Sequence, residues 1–186
     1  SDKDAVCDKT EEVVLKACND PNATFENCQG FPGNIEYEWS YTKAGVNKGL
    51  GNKSEAIVSD VDGKVTVNLK VTDVNNLCFS NVTKDIDKNE LPQFTVKNGD
   101  ADIFADNNGV VKICEGAYAD LVAVQDGGNV ALSGTTWSYY SNGQMVTADG
   151  AFFQTNAFDK GTSDVQYKVT VNGTNGCSAT KDFKIS

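Results

Sequence analysis

An internal repeat constrains this chain more than any other feature. Val6-Cys7-Asp8-Lys9 precedes the apolar run Glu12-Val13-Val14-Leu15-Lys16-Ala17, and Ile113-Cys114-Glu115-Gly116 precedes Asp120-Leu121-Val122-Ala123-Val124. Each half then carries one of the two Trp, in Glu38-Trp39-Ser40-Tyr41 and in Thr136-Trp137-Ser138-Tyr139. Each half closes on an alternating run and a Cys: Lys64 to Val71 before Asn76-Leu77-Cys78, and Val165 to Val171 before Asn175-Gly176-Cys177. Trp39 lies 39 positions before Cys78, and Trp137 lies 40 positions before Cys177. Agreement over such a span marks a duplicated structural unit. Two homologous modules are expected, residues 1–88 and 92–186, with Pro92 near the joint.

The modules differ between the first Cys and the Trp. Module one is longer there by the stretch around Cys18-Asn19-Asp20-Pro21 and Glu26-Asn27-Cys28-Gln29. The two surplus cysteines, Cys18 and Cys28, fall inside that excess. The repeat therefore favours Cys7–Cys78 and Cys114–Cys177 as a shared bridge, with Cys18–Cys28 pinning the insertion 18–28. Cys18–Cys78 with Cys7–Cys28 stays open, because six cysteines allow fifteen pairings. In the chain-entropy model the long bridges would contribute roughly 4 kcal/mol each and the short one about 2–3 kcal/mol.

The apolar segments are short, rich in β-branched and aromatic residues, and alternate with period two. Tyr37, Trp39 and Tyr41 share one face against Glu36, Glu38 and Ser40, and Val65, Val67, Leu69 and Val71 alternate with Lys64, Thr66, Asn68 and Lys70. This pattern predicts antiparallel strands with one buried and one wet face. Turn residues separate them, among them Pro32-Gly33-Asn34, Asp62-Gly63, Asp126-Gly127-Gly128 and Asp149-Gly150. No convincing helix is present. The expected fold class is all-β: two tandem immunoglobulin/PKD-like antiparallel β-sandwiches, disulfide-clamped, with each Trp in the third strand. Residues 92–113, with strand candidates at Phe94-Thr95-Val96 and Ala101 to Phe104, have no counterpart in module one. Its first strand is expected to lie before Ser1, as in a piece of a longer array.

Composition removes several function classes. The chain has no His, so the Ser-His-Asp triad, the Cys-His dyad and the imidazole zinc site are out of reach. All sixteen basic residues are Lys and the net charge is −10, which opposes nucleic-acid binding. No apolar run approaches the 18 or so residues of a membrane helix, so no membrane insertion is expected. An even cysteine count without His favours an oxidising compartment.

The set Ile113-Cys114-Glu115-Gly116, Trp137-Ser138, Tyr167-Lys168-Val169-Thr170-Val171 and Asn175-Gly176-Cys177-Ser178-Ala179-Thr180 resembles the immunoglobulin/PKD-like repeats of large secreted Bacteroidota surface proteins. These include gliding-motility adhesins exported by type IX secretion. Module one departs from the pattern at Asn76-Leu77-Cys78-Phe79. The resemblance implies an extracellular or cell-surface, non-catalytic repeat that serves as spacer, stalk or adhesive surface. Adjacent repeats of the same chain and a surface polysaccharide or protein would be its partners. Two other readings are a glycan-binding or accessory module of a secreted hydrolase, and a subunit of an extracellular filament assembled by strand exchange.

Candidate sites are few. Asp100, Asp102 and Asp106, or Asp60 and Asp62 beside Asp73, offer oxygen ligands for calcium, and otherwise read as solvated turns. Glu11, Glu12, Glu36 and Glu38 do not suggest a glycosidase pair, because Glu36 and Glu38 read as a wet strand face. Trp39 and Trp137 occupy the core position of each module. Tyr139 and Tyr140 are consecutive, as are Phe152 and Phe153, so one of each pair must face outward. Tyr140 and Phe152 are thus contact-surface candidates, with Asn22 and Phe25 on the pinned loop. Sequons occur at Asn22, Asn52, Asn81 and Asn172.

Overall fold

A computed structural model describes residues 1–105, 109–141, 143–157 and 165–186. The chain divides into two compact units, Ser1–Asn89 and Glu90–Ser186. Both are built from strands, and no helix occurs among the described residues.

Unit 1 contains β1 (Ala5–Val6), β2 (Val13–Lys16), β3 (Ile35–Lys43), β4 (Val46–Gly51), β5 (Glu55–Val58), β6 (Val65–Asp73) and β7 (Cys78–Lys88). One sheet has the order β1-β7-β6-β3-β4, and β2 pairs with β5 in a second, two-stranded sheet. Unit 2 contains β8 (Phe94–Asn98), β9 (Ala101–Asp102), β10 (Val110–Val111), β11 (Asp120–Gln125), β12 (Leu132–Ser141), β13 (Gln144–Asp149), β14 (Phe152–Gln154), β15 (Val165–Gly173) and β16 (Ser178–Ile185). Its sheets run β10-β16-β15-β12-β13 and β14-β11-β8-β9. The architecture is all-β, two tandem sandwiches of the immunoglobulin/PKD type.

The period-two pattern explains the layering. In β6, Val65, Val67, Leu69 and Val71 are buried while Thr66, Asn68 and Lys70 turn outward. Each such side chain contributes roughly 1.5–3 kcal/mol by leaving water. Both tryptophans sit in the third strand of the common scaffold, β3 and β12. Trp39 Nε1 donates to the Lys53 carbonyl at 2.8 Å, and Trp137 Nε1 donates to the Gly150 carbonyl at 2.7 Å. A buried indole keeps its one donor satisfied in this way.

The cysteines require a correction. Cys18–Cys28 is formed, with the Cα atoms 5.2 Å apart, which excludes the pairing of Cys7 with Cys28. Cys78 and Cys114, however, are free and exposed, so the expected clamps Cys7–Cys78 and Cys114–Cys177 are not made. The reason is strand direction. β1 runs parallel to β7 and meets its far end, with Val6 opposite Lys88, whereas Cys78 begins β7. An 11-residue strand separates the two cysteines, about 30 Å at the usual rise per residue. A disulfide requires Cα atoms roughly 4.4–6.8 Å apart. Unit 2 repeats the geometry: Val111 lies opposite Ile185 at the end of β16, and Cys177 stands at its start.

The units also differ at one sheet edge. β11 lies between β14 and β8, whereas β2 has β5 as its one strand neighbour among the described residues.

Candidate binding groove in unit 1

Matching the units by register shows what that edge exposes. Trp39 opposes Leu69 as Trp137 opposes Val169, and Val71 opposes Ser80 as Val171 opposes Ala179. Ala17 donates to the Ser54 carbonyl as Ala123 donates to that of Ala151, so Leu15 opposes Ala56 as Leu121 opposes Phe153. Val67, Ala56, Val82 and Lys84 therefore hold the places of Tyr167, Phe153, Lys181 and Phe183.

In unit 2 those places are filled. Trp137 stacks on Phe153 at 5.5 Å and meets the edge of Phe183 at 6.2 Å. Strand β8 covers the remaining side, with Phe94, Thr95 and Val96 buried. Lys181 ties β8 down: its Nζ donates to the Phe94 carbonyl at 2.6 Å and lies over the Phe94 and Phe104 rings.

In unit 1 the same region is a groove of about 830 Å³. Leu15, Trp39, Val67, Leu69 and Val71 form an apolar floor, and Val82 stands on one wall, 56% exposed. The disulfide-pinned insertion forms the opposite rim. Phe25 lies there beneath the Lys16 ammonium, 4.3 Å from the ring centre. The remaining rim carries Asp2 and Asp4, and Asp4 is paired with Lys84 at 2.7 Å. Hydrogen bonding to Lys84 in the first place holds the Asp4 carboxyl below its ordinary range.

The edge of β2 facing the groove is partly occupied. Asp2 donates its N–H to the Val14 carbonyl at 3.1 Å, and its carboxylate accepts the Val14 N–H at 3.0 Å. Ala17 N–H donates to Ser54 on the β5 side, so by alternation Val14 and Lys16 are the residues that present backbone groups to the groove.

The contact residues expected from sequence are scattered. Phe25 lines the groove, and Asn22 is exposed on the same loop, its N–H held by the Asp20 carboxylate at 2.9 Å. Tyr140 and Phe152 are exposed, 67% and 56%, while Phe153 is buried, but they lie in different sheets, on β12 and β14, and form no common platform. Tyr140 pairs instead with the exposed Met145 on β13. Trp39 and Trp137 are core residues.

No group of three His, Cys, Asp or Glu side chains capable of holding a metal occurs among the described residues. Asp102 Oδ1 is engaged by the Phe104 and Ala105 N–H groups, Asp100 is exposed, and Asp106 lies outside the described residues. The second acidic group is already neutralised. Lys43 Nζ lies 2.8 Å from Asp62 and 3.5 Å from Asp60, and its hydrogen bond with Asp62 is the main cause raising the lysine pKa and lowering that of Asp62. Asp73 closes its own turn through Asn75 and Asn76.

Sequence reasoning missed the groove residues Leu15, Val82, Lys84 and Asp2. The available signal was the lack of a counterpart to Phe94-Thr95-Val96 in the given module-one sequence, together with apolar Phe79 and Val82 exposed on β7.

No protein-family model matches the sequence, and no curated protein is similar to it. Among solved structures the chain is similar to the N-terminal four Ig domains of Dscam1 isoform 7.44, at 12% identity and a TM-score of 0.36, over 98% of this chain and 41% of that one. It is similar to the fibronectin(III)-like modules of Clostridium thermocellum CbhA, at 8% identity and a TM-score of 0.39, over 80% and 76% of the two chains. It is also similar to SGBP-B of the Bacteroides ovatus mixed-linkage glucan utilization locus, solved with a mixed-linkage heptasaccharide, at 15% identity and a TM-score of 0.31, over 98% and 42%. The chain spans about two fifths of the first and third of these.

Proposed function

We propose that the chain is a pair of non-catalytic extracellular repeat modules of a cell-surface protein, acting as a load-bearing spacer. The parallel pairing of an early strand with the last strand of each unit carries this reading. In unit 1, Asp87 and Asn89 donate to the Asp4 and Val6 carbonyls at 3.2 and 2.8 Å. In unit 2, Lys184 and Ser186 donate to Gly109 and Val111 at 2.8 and 2.9 Å, and Ile113 donates back to Ser186 at 3.1 Å. Tension along a parallel pair loads these bonds together in shear, whereas an antiparallel hairpin opens one bond at a time. The resemblance of residues 113–186 to Bacteroidota surface-protein repeats supports a place on the cell surface, with neighbouring repeats and a surface polysaccharide or protein as partners.

Single-molecule force spectroscopy on the chain with its disulfides reduced, pulled from its two ends, tests the proposal. Resistance to force is set by the unfolding rate. Two discrete unfolding events are expected, each at higher force than when the pulling points are moved to the two ends of the β6–β7 hairpin. Equal forces in the two geometries would overturn it.

A further inference from the structure

We infer that Cys78 and Cys114 are the two halves of an intermolecular disulfide, which joins Cys78 of one chain to Cys114 of a second copy. The inference stands apart from the load-bearing reading, because it concerns the thiols and not the parallel strand pairs. Both thiols are free and exposed. By register Cys78 matches Cys177, since Ser80 matches Ala179, and in the repeat Cys114 matches Cys7. Cys177 and Cys7 are disulfide-bonded. Each of the two positions thus carries a bridge in one unit and a free thiol in the other. A cysteine left over in this way pairs between molecules or stays a reactive thiol.

The surroundings favour pairing. Cys78 begins β7 with its Sγ 3.6 Å from the Asn76 carbonyl, and its neighbours Leu77 and Phe79 are 80% and 63% exposed. Cys114 opens a turn in which its carbonyl accepts the Ala117 N–H at 3.0 Å, and Tyr118 beyond it is 54% exposed. The bonded cysteines lack these side chains: Gly176 and Ser178 stand in the places of Leu77 and Phe79, and Glu12 in that of Tyr118. Large exposed apolar groups thus accompany the free thiols alone, where a second molecule would cover them. Charge selects unlike partners. Lys70 Nζ lies 5.3 Å from the Phe79 ring centre, and Glu115 is exposed beside Cys114. Two Cys78 ends would bring lysines together and two Cys114 ends glutamates, whereas the mixed pair sets one against the other. A head-to-tail bond of this kind builds open strings of chains. The bond forms by exchange with a small-molecule disulfide: one thiolate displaces a thiol from it, and the second thiolate displaces the other. Two protein thiols are oxidised and one disulfide is reduced to two thiols.

The test oxidises the full chain with glutathione disulfide and separates the products on a non-reducing gel. A ladder of dimers and higher strings is expected, dissolved by reductant, with Cys78–Cys114 as the cross-linked peptide in the digest. Cys78→Ser and Cys114→Ser chains should each stay largely monomeric alone and form dimers when mixed. Phe79→Ser removes part of the apolar collar and should slow the mixed cross-link severalfold, while iodoacetamide labels Cys78 at an unchanged rate. A chain that stays monomeric although iodoacetamide labels both thiols would overturn the inference. So would single variants that dimerise alone as readily as the mixture, which would make the pairing indifferent to its partner. A cross-linking rate that Phe79→Ser leaves unchanged would reduce the site to two reactive thiols and overturn it as well.

Discussion

In unit 2 the central tryptophan is enclosed by Phe153, Phe183 and strand β8. In unit 1 the same tryptophan has alanine and lysine at the matching positions and forms the floor of an open groove. The scaffold is otherwise shared: strand order in the larger sheet, the indole hydrogen bond, and the parallel pairing of an early with the last strand. In unit 2 aromatic residues and strand β8 close the core. In unit 1, among the described residues, the same region is an apolar surface rimmed by a disulfide-pinned loop. Replacing the tryptophans separates the two copies most strongly. Trp137 is fully buried, so Trp137→Ala should cost about 3–5 kcal/mol, whereas Trp39→Ala opens into the groove and should cost the bottom of that range or less. Hydrogen exchange read at β12 and β3 measures each unit separately, and equal losses would dissolve the distinction.

The aromatic core also gives unit 2 a titration that unit 1 lacks. Burial, followed by the neighbouring Tyr139, pushes the Tyr167 hydroxyl from its ordinary value of 10.0 up to about 12. A raised folded pKa means that the stability from this group is whole below pH 10 and is lost as pH climbs through 12. The loss should amount to about 2–3 kcal/mol across that window. Tyr167→Phe should flatten the alkaline slope of unit 2 and leave unit 1, with Val67 at this position, unchanged. Denaturant midpoints of the parent and the variant at a series of pH values from 9 to 12 would measure it. A slope that survives the substitution would assign the alkaline loss to other groups.

The pinned loop belongs to unit 1 alone. Removing both Cys18 and Cys28 as serines should cost unit 1 about 2–3 kcal/mol, leave unit 2 untouched and loosen the groove rim at Phe25. Alkylation of the native chain without reduction should label Cys78 and Cys114 and spare Cys18 and Cys28. Failure to label Cys78 would restore a bridge at that position.

These contrasts also show which parts of the molecule could be read from sequence. The strands around Trp39, Trp137, Val65–Val71 and Val165–Val171 were legible because period-two burial writes itself into side-chain type. The Cys18–Cys28 bridge was legible because both cysteines fall within one insertion. The clamps failed because their geometry depends on β1 and β10. Each has two residues, too short to show alternation, and each pairs parallel with the end of the last strand opposite the closing Cys. Spacing along the chain carries no record of that direction. The groove was hidden for a similar reason. Leu15 and Val82 read as ordinary strand residues, and only the strand order, in which β2 has β5 as its one neighbour among the described residues, places them on a surface.

The smallest contrast lies in the hairpin between the last two strands. Gly176 takes a φ of +83° before Cys177, and its counterpart Leu77 takes +56° before Cys78. A left-handed conformation costs a non-glycine L-residue roughly 1–2 kcal/mol, because Cβ crowds the following carbonyl. Leu77 is 80% exposed and recovers little of this by packing. Glycine would relieve the crowding but lose more backbone freedom on folding, which offsets part of the gain. Leu77→Gly should therefore stabilise unit 1 by about 0.5–1 kcal/mol, and Gly176→Leu should destabilise unit 2 by a similar amount. Thermal melts of the two single variants and of the reciprocal exchange would test the symmetry. A Leu77→Gly chain less stable than the parent would show that the exposed leucine makes a contact that outweighs its backbone strain.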